Sequence, residues 1–456
     1  MRRLLLGGLV AAAGACTSAG APPPATTPHT LAVTHVTVVD VAGAVARPDQ
    51  TVLVSGNRIV AVGPAAGVRV PRGARTVDGT GRYLVPGLWD MHSHVVGYGR
   101  TALPLYLANG VTGIRDMGAE RFAAARALRD SIAAGSVLGP RMTVASPVVE
   151  NPRWLAAIRQ MEERAGVPWK LYERFGPGSP EEAERWVDSV AALGADHVKV
   201  RNWPEPAIGR ALVARARARG LPVVAHANEP FPRTGITSYE HAVWPPLRGS
   251  DAARDSLWRR FAAEGAAVVP TLVTWPIRLD PVDTLLARLD AGRLPGLRYV
   301  PAATRAEWRD EFLGLAQEQP FDWTAYHRVS MRDVREMHAA GVPLVAGTDI
   351  GAPLLVPGFS LHDELELLVR EAGMTPPEAL RAATLIPARV LGRADSLGTV
   401  EPGKLADLVL LDADPLADIR NTRRIHAVVA DGRLLDRAAL DGLLAEAERA
   451  AAPAAR

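Results

Sequence analysis

A single cysteine among 456 residues leaves this chain no internal disulfide, so its fold has to rest on apolar burial. Lysine is nearly absent: Lys170, Lys199 and Lys404 stand against 49 arginines. Aromatic residues make up 5%, and the net charge of +3 comes from scattered arginines with no dense basic block. Base stacking and a phosphate-tracking stripe are thereby excluded as its mode of binding, and no nucleic-acid partner is expected. No apolar run reaches the roughly 20 residues that a membrane-spanning helix needs. What is abundant is apolar residue, at 48%, enough to bury a large core.

Residues 1–16 read as an export signal. Met1-Arg2-Arg3 is a charged start, and Leu4 to Ala15 is a short apolar stretch rich in small residues. Ala13-Gly14-Ala15-Cys16 is similar to a bacterial lipoprotein processing box, with Ala13 where leucine is usual. Cys16 is thus the expected lipidation site, and residues 17–30, with Pro22-Pro23-Pro24, a flexible tether. The expectation is an exported protein, lipid-anchored to a bacterial cell envelope or periplasmic, that touches the membrane only through that anchor.

Residues 31–85 form short β-runs, with Gly56-Asn57 marking a hairpin turn, and 396–435 has the same texture. Together the flanks predict one small β-sandwich-like domain built from both chain ends. Between them, 86–395 alternates strand and helix signals. Strand-like runs end at His94 and recur at 113–115, 141–145, 197–200, 223–225, 238–242, 267–270 and 343–346. Ser179-Pro180-Glu181-Glu182 and Thr375-Pro376-Pro377-Glu378 are helix-start signals among the segments between. Eight strand–helix repeats predict an α/β fold, a (β/α)8 TIM barrel. The stretch 276–330 is too long for a plain crossover and predicts a helical insertion over the barrel mouth. Residues 436–456 are alanine-rich and predict a helical tail.

Chemistry-bearing residues fall at the ends of these strands. Leu88-Trp89-Asp90-Met91-His92-Ser93-His94 places two imidazoles on one face of a strand, at its C-terminal end, where barrels assemble their sites. Lys199 ends the fourth strand, His226 the fifth, His241 the sixth and Asp349 the eighth. Six such groups at one end of a barrel converge on its axis, and nitrogen with carboxylate ligands suits zinc or a similar divalent ion. Lys199 is the most telling member. Where a bare positive charge suffices this chain uses arginine, so a retained lysine points to what arginine cannot do: lose its proton and react with CO₂. The resulting carbamate is an anionic oxygen ligand able to bridge two metals.

The chain resembles the metal-dependent amidohydrolase superfamily, in particular its prolidase-like and imidazolonepropionase-related branch. The likeness spans roughly residues 31–435. It is carried by Pro86 to His94, Gly110-Val111-Thr112-Gly113-Ile114-Arg115-Asp116, Ala346-Gly347-Thr348-Asp349, Leu361-His362-Asp363-Glu364-Leu365 and Gly403-Lys404-Leu405-Ala406-Asp407-Leu408. The resemblance implies two divalent ions, one on His92, His94 and Asp349 and one on His226 and His241, bridged by carboxylated Lys199 and a hydroxide. It also implies that Asp349 moves the proton from the attacking water to a leaving nitrogen, in hydrolysis of an amide or peptide-like bond of a small molecule.

Two other readings stay open. A mononuclear deaminase or cyclic-amide hydrolase would use His226-Ala227-Asn228-Glu229, with Glu229 as proton shuttle, but leaves Lys199 without a task. A non-catalytic surface lipoprotein would bind ligands in the same barrel. Arg201, two residues past Lys199, is a candidate grip for a substrate carboxylate, as in dipeptides or N-acyl amino acids. Tyr239, expected on the same face as His241, and His362, in a family motif, are further candidate substrate contacts. The oligomeric state is left open by the sequence.

Overall fold

The computed structural model describes residues 30–165, 173–227, 234–241, 251–292, 294–315 and 321–452. The expected signal segment, Cys16, nearly all of the tether, Lys170 and Glu229 lie outside the described residues.

The N-terminal flank supplies β1 (Thr30–Asp40), β2 (Val45–Ser55), β3 (Arg58–Pro64), β4 (Arg75–Asp78) and β5 (Tyr83–Pro86). The middle supplies β6 (Leu88–Ser93), β7 (Val111–Asp116), β8 (Arg141–Val144), β9 (Val148–Val149), β10 (Arg174–Phe175), β11 (Val198–Val200), β12 (Val223–His226), β13 (Ser238–Glu240) and β14 (Ala267–Val269). The C-terminal flank returns with β15 (Leu408–Leu411), β16 (Ile425–Ala430) and β17 (Arg433–Leu435).

Both flanks enter one mixed sheet, in the order β17-β16-β15-β5-β1-β2-β3, with β4 also on β1. The seam between the two chain ends is the antiparallel pair β5–β15, with Val85 opposite Val409. Val36, Val38, Val52, Ile59 and Leu84 from the first flank share an apolar cluster with Leu408, Leu410 and Val429 from the second. β-branched residues at alternate positions give each strand one face to bury, which is why remote segments find each other here. Where the flanks predicted a sandwich-like pair of sheets, their strands join into a single one.

The middle is parallel throughout. β6-β7-β8 form one sheet and β10-β9-β11-β12-β13-β14 another. Isolated bridges Ala145↔His197, Val268↔Leu344 and Ser93↔Ile350 run between the pieces. Seven of the eight expected strands form ladders. The eighth stretch, 343–346, is held by single hydrogen bonds: Val345 N donates to Val268 O (2.9 Å), and Ala346 O accepts from Met91 N (3.0 Å). The two-residue strands β9 and β10 were not expected.

Outward-facing Val198, Val200, Val223 and Ala225 lie in one large core with Val187 and Leu212 of the helices Pro180–Ala192 and Pro206–Ala218. The first of these helices begins as its sequence predicts, with Ser179 Oγ accepting from Glu182 N at 3.2 Å. Gly113 on β7 lies under the Trp89 ring of β6, and any side chain there would overlap that ring. Helices Val282–Asp290 and Ala302–Leu315, within the expected insertion, pack around Leu285, Trp308 and Phe312 in a cluster that also takes in Leu105, Leu354 and Ala447 from outside it. Among the described residues no helix is long and apolar enough to cross a membrane.

Candidate metal centre

The parallel strands deliver their C-terminal residues to one place. His92 is the penultimate residue of β6, and His94 follows the strand. Asp349 reaches them because the chain after Leu344 runs along β6: Asp349 N donates to His92 O at 2.7 Å. That approach depends on Gly347, where a Cβ would stand 2.8 Å from the His92 amide nitrogen. Asp349 then turns in the left-handed region (φ 62°), which aims its carboxylate back at both rings. Asp349 Oδ1 lies 3.4 Å from His92 Nε2 and 3.5 Å from His94 Nε2. Among the described residues these three form a group able to hold a metal ion.

His241 and His226 adjoin that group. The His241 ring centroid is 4.5 Å from that of His92 and 4.7 Å from that of His226. His241 also adopts a left-handed backbone (φ 67°), as does Thr271 (φ 47°). Three non-glycine residues in this costly conformation sit around one cluster, a pattern characteristic of functional sites.

Lys199 lies on β11, 3% exposed, and its Nζ has no hydrogen-bond partner among the described residues. An unpaired ammonium in such a place is expensive. Burial pulls the amine down to about 8, with the Arg115 and Arg201 charges acting the same way against Glu240 and Asp349. A fraction of the side chain is therefore a free amine near neutral pH. Burial likewise holds His92 down to about 4, and His226 and His241 well below the ordinary imidazole value. Neutral imidazoles keep a lone pair, which is the state a metal requires.

The rings are also oriented. His94 Nδ1 donates to Gly118 O at 2.9 Å, His92 Nδ1 meets Glu240 Oε2 at 2.7 Å, and His241 Nδ1 meets Thr271 Oγ1 at 2.9 Å. Each ring has Nδ1 occupied, so Nε2 is the nitrogen left to bind, as in metal centres generally. Four histidines, a carboxylate and an orphaned buried amine thus fit a divalent-metal site.

The other candidates are distributed differently. Arg201 stays near the cluster, its Nη1 3.3 Å from Glu150 Oε1, a carboxylate that also accepts from Asn202 Nδ2 at 2.6 Å. Tyr239 is turned away. On β13 the inward positions are Ser238 and Glu240, so Tyr239 faces the helices and stacks on Phe261 at 4.5 Å. The left-handed step at His241 breaks the alternation that put Tyr239 and His241 on one face. His362 is not brought to the cluster either. Its Nδ1 meets Thr422 Oγ1 (2.9 Å) and its Nε2 meets Asn109 O (3.1 Å), just before the N-terminal end of β7.

An amidohydrolase family model matches residues 323–435. A prolidase-like protein of Bifidobacterium longum superposes with a TM-score of 0.70 at 28% identity, over 92% of this chain and 99% of its own. The chain is 28% identical to an adenine deaminase of Rubrobacter xylanophilus, over 89% of this chain and 58% of that protein's length. It is 27% identical to an imidazolonepropionase of Streptomyces griseus, over 80% of this chain and 86% of that one. The chain carries an amidohydrolase family domain and is similar to amidohydrolases over most of its length. Its relatives place it among metal-dependent hydrolases acting on C–N bonds.

Residues beyond the sequence candidates support this cluster. Arg115 of β7 donates to Met91 O (2.7 Å), Ser238 Oγ (2.9 Å) and Glu240 Oε1 (2.9 Å), and Ser238 Oγ donates to the same carboxylate oxygen (2.6 Å). Burial pushes Glu240 up, but Arg115 and His92 outweigh it and hold the carboxylate well below its usual range. Asp90, beneath His92, accepts from Thr348 N (3.0 Å) and Thr348 Oγ1 (2.6 Å), and burial raises it to about 7. A charged residue at an inward strand position was the available signal. Glu240→Leu would leave Arg115 buried without its counter-charge. It is expected to cost about 3–5 kcal/mol, read as a lower urea midpoint at unchanged m value. An unchanged midpoint would remove this pair from the scaffold of the site.

Proposed function

We propose that this amidohydrolase hydrolyses the amide or peptide-like bond of dipeptides or N-acyl amino acids at a two-metal centre in a closed (β/α)8 barrel. The bridges Ala145↔His197, Val268↔Leu344 and Ser93↔Ile350 support the closure. The observation that carries the two-metal reading is Lys199, a buried amine without a hydrogen-bond partner among the described residues, beside a histidine–carboxylate cluster. Nζ loses one proton to become an amine, and its attack on CO₂ forms an N–C bond as one C=O π pair moves onto oxygen and a second proton leaves to solvent, so a carbamate oxygen ligand replaces a costly ammonium. His92, His94 and Asp349 would hold one divalent ion, His226 and His241 the other, with the Lys199 carbamate shared. Nitrogen and carboxylate donors in this proportion suit zinc. When bound, such ions lower the pKa of water and polarise a carbonyl.

The chain's own groups do the rest. Asp349, ionised and 24% exposed on its side chain, accepts the proton from the attacking water and passes it to the leaving nitrogen as the C–N bond breaks. Arg201, held against Glu150, supplies a fixed guanidinium for the substrate's carboxylate. A second reading rests on the relatives named adenine deaminase and imidazolonepropionase: a one-metal enzyme acting on a ring, with Glu229 as proton shuttle. Release of free amine from a panel of dipeptides and N-acyl amino acids, run beside adenine and cyclic amides, separates the two. Turnover of the carboxylate-bearing amides, with kcat/KM lowered in Arg201→Met, is the expected result. Turnover of ring substrates alone would replace it with the second reading.

A further inference from the structure

Thr271 carries an assignment beyond the ligands. It is the N-cap of the short 3₁₀ turn Leu272–Thr274, with a left-handed backbone (φ 47°, ψ 49°) and no side-chain bond to its own turn. A capping threonine ordinarily spends its hydroxyl on that turn's amides. Here the hydroxyl is 2.9 Å from His241 Nδ1 instead. The amides are satisfied from another element. Glu364, on the helix Phe359–Arg370, accepts from Val273 N at 2.8 Å through Oε2, and from the Leu272 amide as well. Glu364 is fully buried, and its Oε1 has no partner among the described residues. Burial pushes its carboxyl up to about 8, so it sits there as a neutral acid.

His241 needs such help. β13 ends at Glu240, so no ladder fixes the His241 backbone beyond one bond, from His241 N to Val269 O at 2.7 Å. Its ring is held at Nδ1 by the Thr271 hydroxyl at 2.9 Å, with Asp349 Oδ2 farther off at 3.9 Å from the same nitrogen. We propose that Glu364 is a positioning residue for metal binding: by capping the Leu272–Thr274 turn from outside, it releases the Thr271 hydroxyl to hold His241 Nδ1 and keep Nε2 presented to the second metal. The inference rests on the two-metal reading above.

Zinc titration against a competing chelator, with bound metal counted by elemental mass spectrometry, tests it on the full chain. In Glu364→Leu and in Thr271→Ala the affinity for the second zinc is expected to fall about 10–100-fold, the usual range for losing a group that orients a ligand. The first zinc stays. The double variant should be no worse than either single one, because both act through one hydrogen bond. Glu364→Gln should bind like the wild type, since its amide oxygen still accepts from the turn. That rescue distinguishes positioning from general loosening of the fold, which near-UV circular dichroism follows in parallel. If Glu364→Leu does not fold, Thr271→Ala and Glu364→Gln still decide: an unchanged second affinity in the first, or a full loss in the second, overturns the proposal. So do losses that simply add in the double variant. A wild-type chain that binds one zinc overturns the two-metal reading itself.

Discussion

Lys199→Ala is expected to lower bound zinc from about two ions per chain to one or fewer, and to lower kcat/KM by at least about 10³-fold. The magnitude follows from scale: removing a single donor to a developing oxyanion already costs about 10²–10³, and this change removes a ligand shared by both ions. The physical origin lies in the ground state. Lys199 is buried without a hydrogen bond among the described residues, and burial, with the Arg115 and Arg201 charges acting the same way against Glu240 and Asp349, brings its amine down to about 8. The side chain makes no hydrogen bond among the described residues, and alanine removes a costly buried charge, so the variant should fold. Loading the metal-free wild type with zinc in CO₂-depleted buffer should reproduce the defect, and added bicarbonate should reverse it. Elemental mass spectrometry of the wild type and the variant decides the matter. Two ions in each would remove the carbamate from the site, and one ion in each would favour the Glu229 reading.

Asp349→Asn is the second large effect. The amide is close in shape to the carboxylate and can still offer an oxygen to a metal, but it cannot take up a proton. Loss of kcat of roughly 10²–10⁴-fold is expected from general acid–base catalysis alone, with KM little changed and most of the zinc retained. Burial pushes Asp349 up, but His241, His92 and His94 more than reverse it and hold the carboxylate well below its ordinary range. The wild-type group is thus ionised near neutral pH and able to accept a proton. Steady-state kinetics beside metal analysis checks this. A kcat within threefold of wild type would assign the proton transfer to another group.

Much of this arrangement is legible in the sequence, for reasons of short-range geometry. The His-x-His pair depends only on strand alternation, and it holds: both Nε2 atoms come within 3.5 Å of Asp349. Ser179 and Thr375 mark helix starts because a capping bond spans three residues. Lys199 is conspicuous because the chain has so little lysine. The failures are equally physical. Counting in twos puts Tyr239 beside His241, and one left-handed residue undoes the count. His362 carries a family motif, yet it is spent on Thr422 and Asn109, partners 60 and 253 residues away.

By itself the sequence determined the alternation of strands and helices, the parallel sheet this implies, and which side chains could ligate a metal. Those follow from period, propensity and residue chemistry, which act over a few residues. Only the tertiary structure decided which of them meet and in what state. Asp349 reaches His92 because Gly347 lets the chain pass close. Glu240 is paired with Arg115 from a strand 125 residues earlier, and in turn holds the His92 ring. Thr271 is free to hold His241 because Glu364 caps its turn from a helix 91 residues on. Low-dielectric burial, with the charges buried beside each group, then sets the protonation of the titratable ones. No local pattern encodes that burial, because it is a property of the whole packed core.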